Sequence, residues 1–174
     1  FTDLIGPDGI AYREVPDPDA GPNEALVEVE AASLNRHDLW VLRGASALSE
    51  AIDLPFVSGL DLAGVVTKAG EAVDRVEPGD RVVLCPNQTC GTCRHCRDGP
   101  ENRCAEFDLF HGAFAEQAAV PADRLVTLPD AVSTTAAAAL PTAYMTAWHM
   151  LRRMDVTAGD SVFVPGATGS VGIA

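Results

Sequence analysis

Lysine is almost missing from these 174 residues: Lys68 stands alone beside eleven arginines. Positive charge is scarce altogether, with twelve Lys plus Arg against twenty-five Asp plus Glu and a formal net charge of −13. A surface this acidic repels phosphate backbones, which argues against nucleic-acid binding. Also missing is any apolar run near the roughly 20 residues that a membrane-spanning helix needs, so no membrane span is expected. Phe1-Thr2-Asp3 offers neither a basic n-region nor an apolar h-region, and no initiator Met. The expectation is a cytoplasmic chain that has lost its true N-terminus. What is present is ordinary globular composition, 47% hydrophobic and 21% charged, in a length sufficient for one proper core.

Among the acids, fifteen Asp outnumber ten Glu. Few lysines and many short carboxylates suit a halophilic protein, where dense ions screen self-repulsion. An acidic protein from an Ala- and Arg-rich genome would read the same way.

Gly and Pro cut the N-terminal two-thirds into short apolar runs. Ala25–Ala31 alternates apolar and polar as a half-buried strand should, and Gly64–Gly70, Asp80–Leu84, Ala113–Ala119 and Arg124–Leu128 read as further strands. Strands so spaced suggest a small barrel or sandwich. Asn35 to Leu42 is the helix expected in this part. From Ser133, a good helix cap, two helical segments run to Leu140 and from Thr142 to Met150. Ser161–Pro165 then reads as an apolar strand entering a glycine loop.

Five cysteines without a secretion signal point to metal or catalysis rather than to disulfides. Cys90, Cys93, Cys96 and Cys104 follow the spacing C-x2-C-x2-C-x7-C. Four thiolates so placed suit tetrahedral Zn²⁺ and leave no open position, so such a zinc would be structural. An iron–sulfur cluster is the rival reading. Cys85 reads as a buried small hydrophobe, and His95, His111 and His149 as structural or surface residues. The loop Gly166-Ala-Thr168-Gly169-Ser170-Val171-Gly172 follows an apolar strand. Its glycines would let backbone N–H groups approach a pyrophosphate at a helix N-terminus.

In this order, about 60 residues apart, the two motifs resemble the medium-chain dehydrogenase/reductase superfamily. Glu77-Pro-Gly-Asp-Arg-Val-Val83 resembles the strand before that family's zinc lobe, and Gly112-Ala-Phe-Ala-Glu116 the strand after it. Leu140-Pro-Thr-Ala-Tyr-Met-Thr-Ala-Trp148 resembles its helix crossing into the nucleotide domain. The resemblance implies a mainly β fold: a GroES-like, partly open β-barrel with a structural zinc lobe at about 86–108. The first βα part of a Rossmann α/β domain would follow. Residues 1–130 would be the GroES-like catalytic domain, and 131–174 the crossover helices and the start of nucleotide binding.

The departures from the family imply a subclass. Where zinc alcohol dehydrogenases of the family place catalytic-zinc ligands, this chain has Asn35, Leu60 and Thr142. Leucine cannot ligate a metal, so no catalytic zinc is expected. Asn35-x-x-Asp38 with Asp61 is similar to the quinone-reductase-like branch, which usually lacks the cysteine lobe. The implied activity is NAD- or NADP-dependent hydride transfer to or from an alcohol or carbonyl, quinone or enone. Asn35, Asp38 and Thr142 would be catalytic, with His37 and Tyr144 as further donors, and Asp61 structural. Gly166, Thr168, Gly169, Ser170, Val171 and Gly172 would hold the coenzyme. A small-molecule substrate and a homodimer are the expected partners. The alternative is an inactive, zinc-stabilised fragment or binding domain without the rest of the coenzyme site.

Overall fold

The computed structural model describes residues 1–46 and 52–174. Its centre is β1 (Glu24–Ser33), which pairs antiparallel with β2 (Asp61–Ala69) on one side and with β6 (Gln117–Pro121) on the other. β3 (Arg81–Leu84) extends the sheet beyond β2, and β7 (Leu125–Thr127) extends it beyond β3. The order β6-β1-β2-β3-β7 leaves β6 and β7 as edges, so the sheet is mainly antiparallel and not closed.

Side-chain alternation explains which face packs. In β1, Ala25 and Val27 are fully buried while Glu28 is exposed. Their buried face meets Leu62, Val66, Val82, Leu84 and Val120 in the principal core. Each such Val or Leu stabilises the fold by roughly 1.5–3 kcal/mol on burial. The start of β2 is buried on both faces, because α3 (Thr134–Ala138) covers the other side through Ala137 and Ala138 against Ala63. Ser133 caps α3 as expected, its Oγ accepting from the Ala136 N–H at 3.2 Å.

The cysteine segment stands off the sheet as a lobe. β4 (Asn87–Gln88) and β5 (Asp108–Leu109) pair at its neck, and it holds α2 (Arg94–Asp98) and a short 3₁₀ turn, Glu101–Arg103. Elsewhere α1 (Arg36–Leu42) follows β1, and α4 (Pro141–Arg153) follows α3. On the surface of β2, Lys68 Nζ pairs with Asp19 at 2.9 Å.

Two expected strands differ. Residues 113–115 leave the ladder: the Ala113 and Phe114 N–H groups donate to the carbonyls of Gly59 and Ser58 at 3.1 and 2.9 Å, and only the Glu116 carbonyl returns to β1, accepting from the Val29 N–H at 2.9 Å. β6 therefore starts only at Gln117. Ser161–Pro165 forms no strand, and Val162, Phe163 and Val164 are exposed. A strand needs a neighbour's hydrogen-bonding edge, and no described residue offers one there. The glycine loop beyond it opens a single helical turn, α5 (Ser170–Ile173), with Gly169 at the cap. The apolar stripe of α4 also differs from a packed one: Tyr144, Trp148 and Leu151 face solvent. Among the described residues no helix is long and apolar enough to cross a membrane.

Candidate metal centre and polar cluster

α2 opens at Cys93, whose extended backbone (φ −71°, ψ 166°) is typical of a cap residue. This turn returns Cys96 to Cys93, the sulfurs lying 3.5 Å apart. The Cys90 sulfur lies 3.8 Å from that of Cys96 and 3.6 Å from that of Cys104. All four sulfurs fall within 4.8 Å of one another. Four sulfurs about 2.3 Å from one tetrahedral Zn²⁺ would sit ~3.8 Å apart, whereas a disulfide needs about 2 Å. The spacing fits a shared metal and not a disulfide. The backbone N–H of Cys93 points at Cys90 Sγ (3.4 Å), and that of Glu106 points at Cys104 Sγ (3.4 Å). Backbone N–H groups of Thr92 and Cys93 bring the Cys90 thiol down to about 6. At Cys90 the lobe thus already favours the thiolate that a metal requires. At Cys104, against the backbone N–H donors of Cys90 and Glu106, burial and the neighbouring Cys90 and Cys96 thiols push the thiol up to about 11.

The second cluster lies where β1, β2 and α4 meet. Gly59 makes the turn into it at φ +101°, and a Cβ there would lie 2.8 Å from the Phe114 backbone nitrogen. That turn delivers Asp61, fully buried, opposite Ser33 in the β1–β2 ladder. Asp61 Oδ2 accepts from Ser33 Oγ and Asn35 Nδ2, each at 3.0 Å. Its Oδ1 accepts from Thr142 Oγ1 at 2.6 Å, and the Thr142 N–H approaches both oxygens at 3.2 Å. Thr142 sits in the first turn of α4, so the carboxylate also neutralises the positive end of that helix.

Asp38 belongs to the same cluster. It is 1% exposed, accepts from the Asn35 N–H at 2.8 Å, and accepts from Ser58 Oγ at 3.2 Å. Burial pushes its carboxyl above the ordinary value, against those two hydrogen bonds. The N-cap geometry of Asn35 (φ −113°, ψ 159°) thereby fixes the start of α1.

The residues expected from sequence to be catalytic are thus joined around two buried carboxylates. Thr142 and Asn35 direct side-chain donors at Asp61, which leaves different groups free. His37 Nε2 and both ring nitrogens of His111 are buried without a partner. The two rings lie 5.6 Å apart, and Phe56 packs on His111 at 4.9 Å. Burial lowers both imidazoles; His111, also facing His37, falls to about 4. Nothing in the local sequence marks His111, since its partner is 74 positions away. Tyr144 is exposed, and the loop Gly166–Gly172 lies at the surface, with Gly169 N–H donating to Gly166 O at 3.0 Å.

The family model "Alcohol dehydrogenase GroES-like domain" matches residues 21–130. The chain belongs to this family, within the medium-chain dehydrogenase/reductase superfamily. This GroES-like chain is 34% identical to the acryloyl-coenzyme A reductase of Metallosphaera sedula over 95% of its own length and 50% of that protein's. A cobalt- and zinc-bound thermostable alcohol dehydrogenase from Pyrobaculum aerophilum superposes with TM-score 0.88 at 35% identity, over 99% of this chain and 52% of that one. The quinone oxidoreductase of Coxiella burnetii superposes with TM-score 0.79 at 27% identity, over 99% and 49%. The GroES-like chain spans about half the length of the curated relatives it matches. Those relatives are oxidoreductases, among them alcohol dehydrogenases and acryloyl- and crotonyl-CoA reductases.

Proposed function

We propose that this chain is the catalytic half of an NAD- or NADP-dependent oxidoreductase that moves hydride to or from a small carbonyl, quinone or enone without a catalytic zinc. The observation that carries the reading is the saturation of Asp61. Its oxygens already receive donors from Ser33, Asn35 and Thr142, and its neighbour Leu60 has no ligand atom. Such a set offers a second metal no binding site comparable to the four cysteines.

The division of labour follows. Cys90, Cys93, Cys96 and Cys104 hold a structural Zn²⁺, which supplies no chemistry beyond shaping the lobe. Bound coenzyme supplies or accepts the hydride. Gly166, Thr168, Gly169, Ser170, Val171 and Gly172 contact its phosphates through the loop backbone. Asn35, Asp38 and Thr142 act as positioning residues that lock α1 and α4 to the sheet. The oxygen on which negative charge develops needs a hydrogen-bond donor in place of a metal. His37 and His111, whose buried ring nitrogens lack partners, are the groups left to provide it.

The test combines metal analysis of the purified gene product with oxidation of NADH and NADPH. Substrates would be an aldehyde, a quinone and an α,β-unsaturated acyl thioester. One zinc per chain with substrate-dependent coenzyme oxidation is expected. Two zincs per chain, or no oxidation with any of the three classes, overturns the reading.

A further inference from the structure

A largely covered guanidinium ties the cysteine lobe to the rest of the molecule. Arg124 closes the 3₁₀ turn Ala122–Arg124 between the edge strands β6 and β7, and its side chain is only 14% exposed. Nη1 donates to Glu101 Oε2 at 3.0 Å, and Nη2 donates to Thr89 Oγ1 at 2.5 Å. Thr89 immediately precedes Cys90, and Glu101 opens the turn that delivers Cys104. Glu101 is held a second time, by Asn87 Nδ2 at 3.0 Å. The Arg124 carbonyl accepts from the Cys85 N–H at 2.9 Å, tying the same residue to the strand that enters the lobe.

We propose that Arg124 is a positioning residue for the metal centre, clamping the chain before the first and the last cysteine ligand in one register. The fork of the guanidinium is suited to this: it offers rigidly spaced donors and no acceptor. Thr89 must therefore accept from it, which fixes the hydroxyl of the residue that precedes Cys90. A Zn²⁺ with four thiolates would carry two net negative charges, and Arg124 brings a largely covered cation to the residues that flank the first and last of them. Exposed ion pairs contribute little, but here the arginine is largely covered and bonds two partners at once. Outer-sphere partners of this kind typically change metal affinity by 10–100-fold.

The inference rests on the cysteine site holding zinc, and the experiment separates the two. Zinc-loaded wild-type protein and the variants Arg124→Met, Arg124→Lys, Thr89→Val and Thr89→Ser are mixed with a chromophoric chelator, and the rate of zinc release is followed. Wild type that takes up no zinc defeats the metal reading itself. If zinc is held, Arg124→Met should release it at least about tenfold faster. Arg124→Lys should behave like Arg124→Met, because a point charge cannot bridge both partners. Thr89→Val should also speed release, Thr89→Ser should restore the wild-type rate, and Arg124→Met/Thr89→Val should be little faster than Arg124→Met alone. Release at the wild-type rate in Thr89→Val, wild-type behaviour of Arg124→Lys, or fully additive effects in the double variant each overturn the proposal. Should Arg124→Met fail to fold, the Thr89 pair still decides it.

Discussion

His111 shows what a single residue can conceal. Its sequence surroundings suggest a structural or surface role, yet it lies against His37 with two buried nitrogens and no partner. Burial lowers it from an ordinary 6.5 to about 4. The unfolded chain therefore takes up a proton as pH falls through about 6.5, whereas the folded chain resists until about 4. Stability that His111 leaves intact above pH 6.5 is lost across that window. We expect the melting temperature of the wild type to fall more between pH 7 and pH 4.5 than that of His111→Gln, measured by thermal unfolding at matched ionic strength. Parallel curves for the two proteins would show that His111 protonates equally in both states. The cysteine cluster is legible at this same scale, because its chemistry is written in local spacing. The imidazole pair is not, because a contact between distant positions leaves no local periodicity.

Among elements, Asp61 is the point at which β1, β2 and α4 are fastened together. Leu140 supplies no side-chain cap to α4, and the carboxylate from the sheet takes that part. Asp61→Asn keeps the shape but turns an amide N–H₂ toward donors from Ser33 and Asn35 or from Thr142. A cost on the order of 3 kcal/mol is expected, as for a buried polar network losing its acceptor. Urea unfolding followed by circular dichroism measures it, and a change below 1 kcal/mol would show that water replaces the lost acceptor. Strands with an alternating face and a partner, such as β1 and β2, are readable from the sequence to within a few residues. So are α1 and α3, through Asn35 and Ser133 at their caps. The segment 113–115 misleads because its apolar run reads as a strand while the Ala113 and Phe114 N–H groups go to Gly59 and Ser58. The pair β4–β5 is two residues on each side, too short to carry a pattern.

For the whole molecule, charge of one sign prevails. A net −13 on 174 residues pushes the folded surface apart, and the described residues hold three salt bridges against it. Screening by salt relieves that repulsion. The melting temperature is expected to rise by several degrees between 0.05 and 1 M KCl, and with NaCl to the same extent, since screening does not distinguish the cations. A flat or falling curve would mean that the acids are spaced too widely to repel. The shortage of lysine has a practical side as well. Lys68 offers the only side-chain amine, it projects from β2, and its side chain is 58% exposed beside Asp19. Side-chain acylation by an amine-directed dye, cross-linker or resin would therefore converge on one sheet position, fixing every molecule through β2 while the cysteine lobe keeps its thiols.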